Sequence, residues 1–147
     1  MPTTRRSRVL DAAPSTVWGT VGDVTQLPRW WPKVTRVEGA DAHGFTEVVA
    51  TDRGRSVRMD FRILERHHGE VLRWAQEIEG TPFERFVRSA ETTLRVEPAG
   101  EDGARARVTL EQRQRMRGPA SFGGLLVRRA TRRILDDALD GLERALG

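Results

Sequence analysis

The chain has 147 residues, 37% hydrophobic and 31% charged, which suits one ordinary soluble domain with a real core and excludes a disordered or fibrous chain. It contains no cysteine, so disulfides, thiolate metal sites and cysteine nucleophiles are excluded, and the redox compartment is unreadable. The net charge is only +4 despite a pI near 11.0, because Lys33 is the single lysine among 25 basic residues; such an arginine bias reflects a GC-rich genome as readily as contact with phosphates.

The N-terminus carries Arg5, Arg6 and Arg8 but leads into no long apolar segment, and apolar runs elsewhere span only a few residues. Neither a signal peptide nor a bilayer span is expected, and a cytoplasmic location follows by default. A short strand is predicted from Arg5 to Asp11. Pro14 then stands where helices begin, predicting a helix to Val21 that Gly22 ends. Asp23 is placed to cap a second short helix, and Pro28 and Pro32 bracket Arg29, Trp30 and Trp31 in a turn.

From Lys33 to Met116 apolar and polar residues alternate, with glycine-bearing breaks at regular intervals, the pattern of an antiparallel meander. Six strands are predicted, over residues 33–39, 44–52, 55–65, 70–78, 85–97 and 104–116. From Pro119 onward the alternation stops. Val127, Thr131, Ile134, Leu135, Ala138, Leu139, Leu142 and Leu146 fall on one broad face at helical spacing, predicting a long amphipathic helix. No repeat or linker interrupts the chain, so residues 1–147 are expected to form a single domain. The class is α+β: a seven-stranded curved antiparallel sheet in the order β-α-α-β6-α, whose apolar face only the C-terminal helix can cover. A twisted sheet wraps such a helix incompletely, and the gap is a natural ligand cavity.

Ala13, Pro14, Val17 and Trp18, then Asp23 and Val24, then Pro28, Arg29, Trp30, Trp31, Pro32 and Val34 resemble the opening motif of the polyketide cyclase/dehydrase branch of the START-like (SRPBCC, Bet v 1-like) superfamily. Gly54 and Arg55, the strand end Leu94, Val96, Glu97 and Pro98, and the closing helix extend the resemblance over nearly the whole chain. The resemblance implies a helix-grip fold. It says less about activity, because this fold serves aromatase/cyclases, hydrolases, lipid carriers and hormone receptors alike.

Strand parity predicts which side chains face the helix. Val57, Met59, Phe61 and Ile63 form one inner set; Leu72, Trp74, Gln76 and Ile78 form the next. Phe86, Arg88, Ala90, Thr92, Leu94 and Val96 follow by the same count, as do Ala106, Val108, Leu110, Gln112, Gln114 and Met116. In the strand from Gly44, Phe45, Glu47 and Val49 point inward, with Val48 and Ala50 as the competing choice. The expected cavity is therefore a wall of Met59, Phe61, Trp74 and Leu94 bearing Gln76, Arg88, Thr92, Gln112 and Gln114, with Trp31 at the rim and Trp30 and Trp18 in the core. An interior Arg88 needs a partner, for which Glu47 is available, unless Arg88 ends at the rim or a bulge shifts the parity.

His43, His67 and His68 fall in predicted turns without carboxylates at ligand spacing, so no metal is expected, and no motif calls for a cofactor, a nucleotide or a nucleic acid. Arg128, Arg129, Arg132 and Arg133 oppose the dipole of the last helix, as contact with a phosphate, a membrane surface or an acidic protein would require. Arg132 with Asp136 and Arg133 with Asp137 also have the i,i+4 spacing of a solvated, self-paired face. Two functions fit: a carrier or sensor of a small, largely hydrophobic metabolite, polyketide- or lipid-like, or an aromatase/cyclase in which Arg88 and the glutamines polarise carbonyls while Glu47 moves a proton. Stable membrane insertion is not expected, and oligomeric state is not readable.

Overall fold

The alternating stretch forms one antiparallel sheet of seven strands in the computed structural model, which describes residues 3–118 and 124–147. The elements are β1 (Thr3–Leu10), α1 (Pro14–Val21), a 3₁₀ turn (Val24–Gln26), α2 (Leu27–Trp30), β2 (Val34–Glu38), β3 (Gly44–Ala50), β4 (Ser56–His67), β5 (Val71–Gln76), β6 (Val87–Ala99), β7 (Arg105–Met116) and α3 (Gly124–Leu146). Pro14 opens α1, and the Asp23 carboxylate caps the 3₁₀ turn by accepting from Thr25 N at 3.0 Å. The strand expected to begin at residue 85 starts instead at Val87, because Pro82–Arg85 closes into a 3₁₀ turn capped by the Thr81 hydroxyl, which accepts from Phe83 N. The strand expected to reach residue 78 stops at Gln76, and Ile78 is buried just beyond it. The first residues of the predicted last helix, 119–123, lie outside the described residues.

The strand order β1-β7-β6-β5-β4-β3-β2 pairs the first strand with the last and leaves β1 and β2 as the edges. The helices close the gap. α3 packs on β1 and on α2, and α2 packs on β2, so the two edge strands are joined through helices in a helix-grip arrangement. No described helix is long and apolar enough to cross a membrane.

Two contacts draw α3 onto its neighbours. Gly141 faces the backbone of α2 so closely that a β-carbon there would overlap the Trp30 carbonyl. Along β1, Arg6 donates two hydrogen bonds to the Asp136 carboxylate, at 2.8 and 3.1 Å, and Arg8 pairs with Asp140. These contacts correct the i,i+4 expectation: Asp136 turns to the neighbouring strand, and among the described residues neither Arg132 nor Arg133 forms an ion pair. The packed face of α3 is also narrower than predicted. Thr131, Leu135, Ala138, Leu139 and Leu142 are buried, whereas Ile134 remains 41% exposed on the flank.

Candidate functional site: the half-covered inner face of the sheet

Directly opposed residues of an antiparallel pair share a face, so the register identifies the inner set. One row of pairs runs Phe45, Phe61, Gln76; the next along the strands runs Val37, Glu47, Met59. A third links Ile63, Trp74, Thr92 and Gln112. These side chains face the helices, but the helices do not cover them equally. Leu72, Leu94, Val108 and Leu110 have no accessible surface, because α1 and α3 land on that part of the sheet. Val37, Met59, Phe61, Ile63, Gln76, Gln112 and Gln114 also point inward yet are only partly buried. The inner face therefore has a packed half and an accessible half, and the accessible half is the candidate site.

Its floor is aromatic. Trp31 stands edge-on to Trp30, at 5.4 Å between ring centroids, and edge-on to Trp74, at 6.3 Å. Phe45 meets Trp74 edge-on at 6.0 Å and stacks on Phe61 at 5.2 Å. The edge-on and offset contacts suit the ring quadrupoles and tie α2 to β3, β4 and β5. Trp30 is core, Trp31 is the partly exposed rim member, and Trp18 is core against the edge of His68.

The polar groups fall into two kinds. Gln112 donates to the Thr92 hydroxyl at 3.2 Å, and the Thr131 hydroxyl of α3 donates to Gln114 Oε1 at 3.2 Å, so both glutamines are partly engaged by the protein. Glu47 and Gln76 are not. The Glu47 side chain is 5% exposed and forms no hydrogen bond or ion pair among the described residues, and burial pushes its carboxyl up from 4.5 to about 7. The buried Nε2 of Gln76 has no hydrogen-bond partner. The Gln76 amide departs from the rule that buried polar groups are paired, an unmade bond that costs about 1–3 kcal/mol, whereas Glu47 is buried without a protein partner. Two strand spacings and one inward step separate them, roughly 12 Å along the sheet. They cannot satisfy each other, but a ligand of that length lying on the aromatic floor would reach both.

The register corrects the placement of Arg88. Val87 pairs with Met116 and Ala90 with Gln114, so Arg88 and Ser89 together oppose Arg115 in a β-bulge. The extra residue shifts the alternation: Val87 takes the inward place and Arg88 is exposed. Glu47 is therefore not its partner. Leu94 and Trp74 are corrected as well. Leu94 is closed into the packed half, and Trp74, 2% exposed, lies beneath Trp31. Val37 also faces inward, opposite Glu47, in a strand whose register slips between Val34 and Arg36. The competing choice in β3 also has a physical cause: Val48 is 1% exposed although it faces outward, between Arg36 and Arg58 in the ladder.

The histidines stay apart: His67 Nε2 approaches Glu65 at 3.4 Å, and among the described residues no three metal-ligating side chains come together.

The model of the family described as polyketide cyclase/dehydrase and lipid transport matches residues 1–147. Among solved structures, the chain is similar to the protein XoxI from Bacillus cereus, with 18% identity, a TM-score of 0.77 and coverage of 99% of this chain and 96% of that one. It is similar to a START superfamily protein from Mycobacterium smegmatis, with 12% identity, a TM-score of 0.78 and coverage of 98% and 96%. It also resembles the di-domain ARO/CYC BexL from the BE-7585A biosynthetic pathway, with 23% identity and a TM-score of 0.80, over 99% of this chain and 46% of that one. At these identities the likeness is one of fold. No curated protein matches.

Proposed function

Since the chain belongs to the polyketide cyclase/dehydrase and lipid transport family, we propose that it takes a small, largely hydrophobic metabolite, polyketide- or lipid-like, onto the accessible half of its inner face and serves as its carrier or sensor. The observation that carries this reading is a pair of polar groups without a protein partner, the carboxyl of Glu47 and the buried amide nitrogen of Gln76, on a wall otherwise made of Met59, Phe61, Ile63 and Val37. An apolar wall with few, separated polar groups binds a carbon skeleton by burial and orients it by one or two oxygens. Gln76 supplies a donor for a carbonyl or hydroxyl. Glu47, protonated through much of the neutral range, supplies another.

The same carboxyl favours a second reading, an aromatase/cyclase. A group that titrates near 7 exchanges a proton with a bound β-ketone in either direction, and an amide N–H at the second position steadies the enolate oxygen. Carbon–carbon bond formation then depends mainly on the folded geometry of the chain and on exclusion of water.

Mass spectrometry of the organic extract of the purified protein tests the shared premise. A retained hydrophobic compound is expected, reduced about tenfold in the Phe61→Ala variant through loss of an aromatic contact. Protein that carries none, and that binds neither fatty acids nor anilinonaphthalene sulfonate, would sink the proposal. Glu47→Gln then separates the two readings. A carrier keeps its ligand, whereas a cyclase keeps its substrate and loses turnover by a factor of about a hundred or more.

A further inference from the structure

The first turns of α3 carry a surface that the fold does not use. Leu125 and Leu126 are 68% and 70% exposed, the most exposed large apolar side chains described. At 100° per residue Leu126, Arg129 and Arg133 lie opposite the buried stripe of Thr131, Leu135 and Leu142, and Leu125 and Arg132 lie beside them on one flank of the helix. Arg128 lies nearer the stripe. All four arginines are exposed, and among the described residues none makes an ion pair or side-chain hydrogen bond. Of the acids that follow them on the helix, Asp136 is held by Arg6 and Asp140 by Arg8, while Asp137, at i,i+4 from Arg133, forms no ion pair among the described residues. Cations near the start of a helix oppose its dipole, so Arg128 and Arg129 gain nothing from it.

A third large apolar side chain is exposed just before β6. Phe86, 56% exposed, receives a hydrogen bond on its carbonyl from Arg117 N at 2.7 Å. Its neighbour Val87 pairs with Met116, two residues beyond the Gln114 that Thr131 of α3 holds.

We propose that the first turns of α3 are a peripheral docking surface for an anionic lipid bilayer. Leu125 and Leu126 enter the acyl boundary while Arg129, Arg132 and Arg133 meet lipid phosphates. A bilayer matches both features at once, the projecting leucines and the unpaired positive charge around them, whereas a hydrated polyanion answers only the charge. The docking stands on these surface residues and does not require the interior to hold a ligand.

Co-sedimentation of the full chain with vesicles tests it. Binding is expected to an equimolar mixture of phosphatidylglycerol and phosphatidylcholine, with little to phosphatidylcholine alone, and it should weaken as salt rises. Arg129→Gln with Arg133→Gln should lower partitioning roughly twenty-five-fold, since each basic residue near an anionic surface contributes about fivefold. Leu125→Ser with Leu126→Ser should lower it at least about tenfold. Both positions are exposed, so thermal midpoints should stay unchanged and report intact folding. Because the chain has no cysteine, Leu126→Cys also gives a single labelling site, where an environment-sensitive dye should shift to the blue on the mixed vesicles. The proposal is overturned by absence of binding to the mixed vesicles, or by equal binding to phosphatidylcholine alone. It is equally overturned if the leucine substitutions change nothing while polyglutamate competes fully, which would make the partner an acidic polypeptide. Ligand retention in the interior is measured separately, so either idea can fail without the other.

Discussion

Glu47 shows how one residue's surroundings set its chemistry. Its neighbours in the ladder, Val37 and Met59, offer no charge and no donor side chain, so the folded protein reduces the cost of burying a carboxylate by keeping it protonated up to about pH 7. In the unfolded chain the proton leaves from about 4.5. The folded pKa is the higher one, so the stability linked to this group is full below 4.5 and is lost as pH rises toward 7, a loss of about 3 kcal/mol at 1.36 kcal/mol per unit. Thermal melts should therefore show the wild type losing stability between about pH 5 and pH 8, and Glu47→Gln should flatten that dependence and be the more stable protein at the alkaline end. A variant that keeps the full slope would assign the effect to another group.

At the scale of elements, the β6 bulge and the α2–α3 seam decide what the strands and helices present. The bulge turns Arg88 out of the interior, so Arg88→Ala should leave the affinity for a fatty acid or for anilinonaphthalene sulfonate within about twofold of wild type. A tenfold loss in a fluorescence titration would return Arg88 to the site. At the seam, Gly141→Ala brings a β-carbon onto the Trp30 carbonyl, a backbone atom that cannot swing aside. Overpacking of this kind costs up to about 3 kcal/mol, and the better helix propensity of alanine returns only about 1, so urea denaturation should show a net loss near 2 kcal/mol. Because the seam positions α2, and with it Trp31 over Trp74, ligand retention should fall as well.

For the whole molecule, the grip formed by α3 on β1 and α2 on β2 sets how much of the inner face is covered. If the accessible half is filled by a ligand in use, protein stripped by organic extraction should melt at a lower temperature than protein as purified, and adding the extract back should restore the midpoint. Occupancy at a hundredfold excess over Kd corresponds to about 2.7 kcal/mol. A midpoint unmoved by either step would mean that the interior is not a binding site.

The strands, their glycine-bearing turns, the short helices opened by Pro14 and capped by Asp23, and the amphipathic closing helix were all legible in the sequence, as was the inward parity of β4, β5 and β7. These features are local: a period of two or of 3.6 residues, a proline or a cap is written in adjacent positions. Three features were decided only in the tertiary structure. The bulge at Arg88 depends on what β7 places opposite it. The choice of Asp136 and Asp140 depends on β1 lying along α3, more than a hundred residues away in the chain, and it takes Asp136 from its i,i+4 neighbour Arg132. The division of the inner face depends on where three helices land, which is why Leu94 is sealed while Phe61, on the same face, is not. The sequence by itself determined which residues face inward along most of the sheet. Tertiary packing alone decided which of those remain open to a ligand, because coverage is set by elements far apart in the chain and leaves no periodic trace.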